Sequence, residues 1–198
     1  VLAAVNLALV GLWSITSDDI ARESGPIENL QLVALAAAII VFAHSGNISG
    51  NVFRPFLFFL CIGCVYLLFR EVDFRTMPVW DWVRLLSSSV MRKGIQGIIL
   101  LVLAGYLWRN LAAFRNAVSR LRPGDVLPYV CVVVLFMLAK GAEEISRADK
   151  NPIGDFALPH GQFWEEMLEL NADMMLLIAA LLSYGLRMGH MERAPTVS

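Results

Sequence analysis

Charge is missing from long stretches of this chain. No Asp, Glu, Lys or Arg occurs from Asn29 to Phe53, nor from Pro55 to Phe69, Gly94 to Trp108, Val126 to Ala139 or Met174 to Leu186. These runs constrain the fold more than any other feature, because ~20 mostly apolar residues are enough to cross the hydrocarbon of a bilayer as a helix. Inside that hydrocarbon no water satisfies backbone N–H and C=O groups, so a spanning segment must bond to itself as an α-helix. The composition agrees. The chain is 58% hydrophobic and 17% charged, whereas soluble domains run at roughly 45–50% apolar and about 25% charged.

The expected architecture is therefore an all-α integral membrane protein. It is a single transmembrane domain over 1–198, a bundle of about six transmembrane helices at 1–17, 27–44, 53–71, 94–113, 126–146 and 164–187. Gly25-Pro26 and Arg54-Pro55 open two of these helices, since proline suits a first turn whose N–H has no intrahelical acceptor. The stretches LRPGDVLP and DKNPIGDFALPHG separate the later ones. The first run has no basic segment before it and no small-x-small cleavage pattern at Ser14–Ser17, so it reads as a helix rather than a signal peptide. Between the third and fourth spans, Val79, Trp82, Leu86 and Val90 fall on one helical face and Asp81, Arg84, Ser88 and Arg92 on the other. With Trp80 and Trp82 at its start, this segment is expected to be a short interfacial helix over 79–91. The alternative is a long fourth helix whose first turns leave the bilayer.

Six spans put both termini on one side. The connections there hold Arg54, Arg109, Arg115, Arg120, Arg122, Arg187 and Arg193, against Asp125 and Glu192. The acid-poor loop at 109–122 marks that side as cytoplasmic under the positive-inside rule. The expected location is a cell membrane, in a bacterium the inner membrane, with cytoplasmic termini and a periplasmic or extracellular acidic face. The lipid bilayer is the expected partner, with a homo-oligomer or larger membrane complex as a further one. A net charge of −1 gives no reason to expect nucleic acid.

The acidic side carries the chemistry. One helix presents Glu28 and Gln31 a turn apart, and the next presents Arg70 and Asp73 on one face, with Glu71 directed elsewhere toward Arg75. The fifth span presents Lys140, Glu143, Glu144 and Arg147 as a polar stripe, and the sixth presents Gln162, Glu166, Glu169 and Asp173 on one face. These intervals bring side chains to one side of a helix. Asp173 and Lys140 both fall well inside their apolar runs, where a charge costs on the order of 2.5–3.5 kcal/mol on insertion scales and requires a partner, a cavity or an ion.

Ion pairing within the bundle accounts for part of this set: Lys140 with Glu143 or Glu144, Arg147 with Glu143, Arg70 with Asp73. The acids at these helix ends outnumber Arg70, Arg75, Lys140 and Arg147, so carboxylates remain that must hold a proton or share a cation. Oxygen-rich clusters suit hard divalent cations, and His160 is the histidine on this side that would join such a site. Glu166, Glu169 and Asp173, completed by Glu143, Glu144, Glu28 and Asp73, are the expected cation or proton ligands, with Lys140, Arg70 and Arg147 as charge partners.

Other motifs carry less. Cys61 and Cys64 form a C-x-x-C in the middle of an apolar run, where burial makes thiols inert and small residues let helices approach. His44 and His190 lie near the ends of their spans, away from where a haem would sit. No P-loop, dinucleotide fingerprint, zinc signature or Ser-His-Asp arrangement is present. The expected function is cation- or proton-linked transport or channel activity. The alternatives are an accessory or assembly subunit of a membrane complex, and a membrane enzyme acting on a lipid headgroup through a carboxylate pair or a metal-activated water.

Overall fold

The computed structural model describes residues 6–7, 10, 26–49, 52–72, 88–146 and 161–191. Among these residues the chain is all-helical, with no strand. The helices are α1 (Pro26–Ile48), α2 (Arg54–Glu71), α3 (Ser89–Arg109), α4 (Leu111–Ser119), α5 (Pro123–Ser146) and α6 (Gly161–Met191). Four of them are long and apolar enough to cross a membrane, over Pro26–Ile48, Val90–Arg109, Pro123–Ile145 and Phe163–Gly185. Helix α2 has 18 residues and carries Arg54, Arg70 and Glu71 at its two ends. At 1.5 Å per residue it is about 27 Å long. The expected span over 1–17 lies outside the described residues except at Asn6, Leu7 and Val10.

Local chemistry explains the boundaries. Pro55 occupies the first turn of α2. Pro123 opens α5, and the Asp125 carboxylate reaches back to accept the Arg122 N–H at 3.1 Å, satisfying a donor that the helix start leaves free. Ser88 caps α3 by accepting the Met91 N–H on its hydroxyl. Residues 89–91 of the expected interfacial helix at 79–91 form the first turn of α3; residues 79–87 lie outside the described residues. The expected span over 94–113 is corrected. At Asn110 the main-chain N–H is shared between the Tyr106 and Leu107 carbonyls at 3.1 and 3.2 Å, and its side chain donates to the Tyr106 carbonyl at 2.9 Å. These bonds tighten and end α3, and α4 begins afresh at Leu111.

Helix α1 packs on α2 and α6, α6 packs on α5, and α3 and α4 lie against α2. Side chains close the ring between α2 and α5: the Phe56 and Tyr129 rings meet edge-on at 5.6 Å, and the Arg70 guanidinium lies 5.6 Å from the Phe136 ring centre. The result is a four-helix core of α1, α2, α5 and α6 with α3 on its outside. Leu35, Ala38, Phe42, Phe56, Leu57, Cys64, Val132, Leu176, Ala179 and Ala180 fill it. Alanines on α1 and α6 let those two helices come close, as small residues do in membrane bundles. At Gly46 a Cβ would lie 3.2 Å from the Phe58 ring, so α1 and α2 also approach tightly there.

Successive long helices alternate in direction. The start of α1 meets the start of α6 through Ile27, Phe163, Met167 and Leu170. The end of α2 meets the same part of α6 through an ion pair between Arg70 and Glu169. At the opposite end His44 lies against Tyr184, ring centres 5.6 Å apart.

Candidate functional site

The polar end of the bundle is organised around α6. Glu166, Glu169 and Asp173 recur at i, i+3 and i+7, so they share one face, and that face is turned inward against α1 and α2. Asp173 is 2% exposed. It stands ten residues beyond Phe163, the start of its candidate span, or about 15 Å along the helix. That is near the middle of the span.

Helix α2 supplies the cation. Arg70 donates from Nη2 to Glu169 Oε1 at 2.7 Å and from Nε to Glu71 Oε1 at 2.5 Å. Its guanidinium lies over the Phe136 ring of α5. Arg92, in the first turn of α3, donates to the Arg70 carbonyl at 2.6 Å and brings a second positive charge to this end. Glu71 therefore belongs to the cluster, which corrects the expectation that it points away toward Arg75. It is the last residue of α2, where no following turn forces consecutive side chains apart, so it folds back onto Arg70.

Helix α1 supplies Gln31, which is fully buried. Its amide nitrogen donates to both the Glu166 carbonyl and Glu166 Oε2, each at 3.2 Å. Both partners are acceptors, so Gln31 must turn its NH2 toward them. Gln31 Oε1 is then left buried and accepts no hydrogen bond among the described residues; the same is true of Asp173 Oδ1. The groups that act most strongly on Asp173 electrostatically are Glu71, Arg70, Glu169 and Glu166. The cluster is thus rich in acceptors and short of donors.

A second polar contact flanks it. Asn6 and Asn171 exchange two side-chain hydrogen bonds, at 2.8 and 3.0 Å, and Asn171 also donates to the Met167 carbonyl at 2.7 Å. Asn6 interrupts an apolar stretch, whereas Asn171 lies between Glu169 and Asp173 and is hidden in the sequence by the charged stripe.

The other expected site residues behave differently. Lys140 pairs with Glu143 and, at 3.8 Å, with Glu144, all within α5. The Lys140 side chain is 63% exposed, which corrects its expected inward direction: it lies on the outer surface of the bundle. Glu28 is half-buried one turn before Gln31. Asp73, Arg147 and His160 lie outside the described residues. Among the described residues no group of three or more His, Cys, Asp or Glu side chains is arranged to hold a metal ion. Cys61 and Cys64 are free thiols; Cys64 is buried in the core and Cys61 contacts the Ile39 carbonyl of α1 at 3.6 Å.

Comparison with models of protein families, with curated proteins and with solved structures finds no match for this chain.

Proposed function

We propose that this chain is a multi-pass membrane protein that carries out proton-linked transport, with Asp173, Glu169 and Glu166 as its proton-exchanging groups. The observation that carries the reading is the buried Asp173 carboxyl, placed mid-span with an oxygen that accepts no hydrogen bond among the described residues. Ionisable groups at such depth are costly, and membrane proteins use them mainly in substrate and proton pathways.

Pairing does not use up the acids. Arg70 is engaged by Glu169 and Glu71 together, and Gln31 by Glu166. A proton arriving at Asp173 supplies the donor that the cluster lacks. Along α6 the three carboxyls step inward at intervals of about 4.5 and 6 Å of helix rise, an ordered path from the helix start to mid-span. A proton is favoured over a divalent metal because the guanidinium of Arg70 already occupies the position between the carboxylates that a metal would take. In this reading the termini are cytoplasmic and the α6 start faces the opposite side.

The test is proton flux into vesicles reconstituted with the purified protein and loaded with a pH-sensitive dye. The native protein collapses an imposed pH gradient, Asp173→Asn reduces the rate to that of protein-free vesicles, and Glu169→Gln slows it. Infrared difference spectra on acidification should show a protonated-carboxyl band that is missing in Asp173→Asn. Native vesicles as tight as protein-free ones, or an Asp173→Asn protein with native flux and an unchanged band, overturn the reading.

A second reading, an accessory subunit of a larger membrane complex, is favoured by α3. None of its apolar window is buried within the chain, and open space stands over Gly94, Gly97 and Gly105. Co-purification of one stoichiometric membrane partner, with no flux from the chain alone, would support it over transport.

A further inference from the structure

At the end of the molecule opposite the acidic cluster, α3 stops at Arg109 and α4 leads away from it. Between them is a cleft of about 520 Å³ lined by Trp108, Arg109, Leu111, Ala112, Arg115 and Asn116. We propose that this cleft binds the phosphate-bearing headgroup of an anionic phospholipid. The proposal rests on the chain being membrane-embedded and is independent of the proton reading.

Charge is the first argument. From Gly94 to Gly124 the sequence contains Arg109, Arg115, Arg120 and Arg122 and no acidic residue. Among the described residues neither Arg109 nor Arg115 is in an ion pair. Arg54 adds positive charge to the same end, where it acts electrostatically on Tyr106. Asp125, the next acid along the sequence, is turned to the Arg122 main-chain N–H. Two unpaired guanidiniums beside one cleft make a site for a phosphate group, which guanidinium binds through charge-assisted hydrogen bonds.

Placement is the second argument. Helix α4 has two unlike faces. Phe114 packs against Phe56 and Phe59 at 5.2 and 5.0 Å between ring centres, and Ala117 is buried. The outer face presents Leu111, Arg115 and Val118 at i, i+4 and i+7, all exposed. Trp108, 84% exposed, comes one turn before Leu111 at the end of an apolar span. An exposed tryptophan there is characteristic of the headgroup level, and apolar residues flanking a basic one suit a helix lying in that layer. The arginines thus stand at the depth of lipid phosphates, with apolar surface beside them for acyl chains. A soluble anion would gain nothing from that apolar surface. Basic pockets between helices at this level recur as anionic-headgroup sites.

Native mass spectrometry of the detergent-purified full chain tests this, with phosphatidylglycerol, phosphatidylcholine and inorganic phosphate titrated separately. Phosphatidylglycerol is expected to bind at least tenfold more tightly than either of the others. The double variant Arg109→Gln/Arg115→Gln should lose about tenfold in that affinity, while Lys93→Gln, at the other end of α3, leaves it unchanged. Both arginines are exposed, so folding is not at stake, and equal helical circular dichroism checks it. The charge-preserving Arg109→Lys/Arg115→Lys protein should keep its preference for phosphatidylglycerol over phosphatidylcholine. Equal binding of the two lipids, phosphate binding as tight as lipid, a glutamine double variant with native affinity, or a lysine double variant as weak as the glutamine one each overturns the proposal.

Discussion

Helices α5 and α6 carry the same kind of polar stripe at the same end of the molecule, and the two stripes meet opposite fates. On α5, Lys140 turns to Glu143 and Glu144 of its own helix, and the lysine stays on the outer surface. On α6, Glu166, Glu169 and Asp173 find their partners on other helices, Gln31 of α1 and Arg70 of α2. The difference is position in the bundle. Helix α6 has α1 on one side and α5 on the other, so its polar face is enclosed. Helix α5 packs its backbone mainly on α6 and meets α2 through side chains, a more open position that leaves its lysine outside. The α5 stripe finds opposite charges along its own helix. The α6 stripe draws its counter-charge and hydrogen-bond donor from neighbouring helices.

This contrast sets the order of expected mutational effects. The largest belongs to Arg70. Arg70→Gln strips the counter-charge from Glu169 and Glu71 together; a fully buried pair would lose about 3 kcal/mol or more, and with Arg70 34% exposed solvent screening brings the expected loss to about 2–3 kcal/mol. Unfolding of the purified protein in mixed micelles reads this out. Adding Glu169→Gln should recover part of the loss, because the uncompensated carboxylate goes with it. An Arg70→Gln protein as stable as the native one would break the distinction between the two stripes.

Gln31 comes next. Gln31→Leu removes the donor to the Glu166 carbonyl and carboxylate in a fully buried setting. An acceptor left unsatisfied there costs about 1–3 kcal/mol. The same unfolding assay measures it, and pairing the change with Glu166→Leu separates the hydrogen bond from the packing. A double variant no less affected than the sum of the two singles would show that the contact carries no energy.

Asn171 follows, with about 1 kcal/mol expected for Asn171→Leu, in line with interhelical side-chain hydrogen bonds in membrane proteins. The double bond to Asn6 ties the N-terminal segment to α6. The sharper readout is therefore protease sensitivity of that segment, which should rise in Asn171→Leu and equally in Asn6→Leu. Unequal responses would mean that the two amides do not work as a pair.

Much of the fold is legible in the charge-free runs, because a helix is the only way such segments can satisfy their backbones in hydrocarbon. The ends are less so. Between Leu107 and Phe114 only Arg109 and Asn110 interrupt apolar residues, and the hydropathy pattern alone does not show that Asn110 closes one helix before the next begins, a decision made by local hydrogen bonds. For the candidate site, periodicity puts Glu166, Glu169 and Asp173 on one face. It does not tell which helix occupies the centre, and that is why Lys140 and Asp173 look equivalent in sequence and differ in the structure. Glu71 misleads for a related reason: the i, i+4 rule that directs it to Arg75 presumes a helix continuing through 75, whereas α2 ends at Glu71.

The smallest effect tests the other half of the contrast. Lys140→Gln removes a cation that pairs with Glu143 and Glu144 of its own helix and whose side chain is mostly exposed. Glu143 is largely covered, but the Lys140 ammonium stands in solvent, and a pair screened in this way contributes about 1 kcal/mol at most. The expected change in unfolding free energy is about 0.5 kcal/mol, with proton flux in vesicles unaltered. Raising the salt concentration should shrink even that difference, because screening acts on exposed charges first, while the Arg70→Gln deficit persists. Should Lys140→Gln match Arg70→Gln in stability or flux, the α5 stripe would have to share the enclosed site, and the more open position of α5 would no longer explain why α5 and α6 differ.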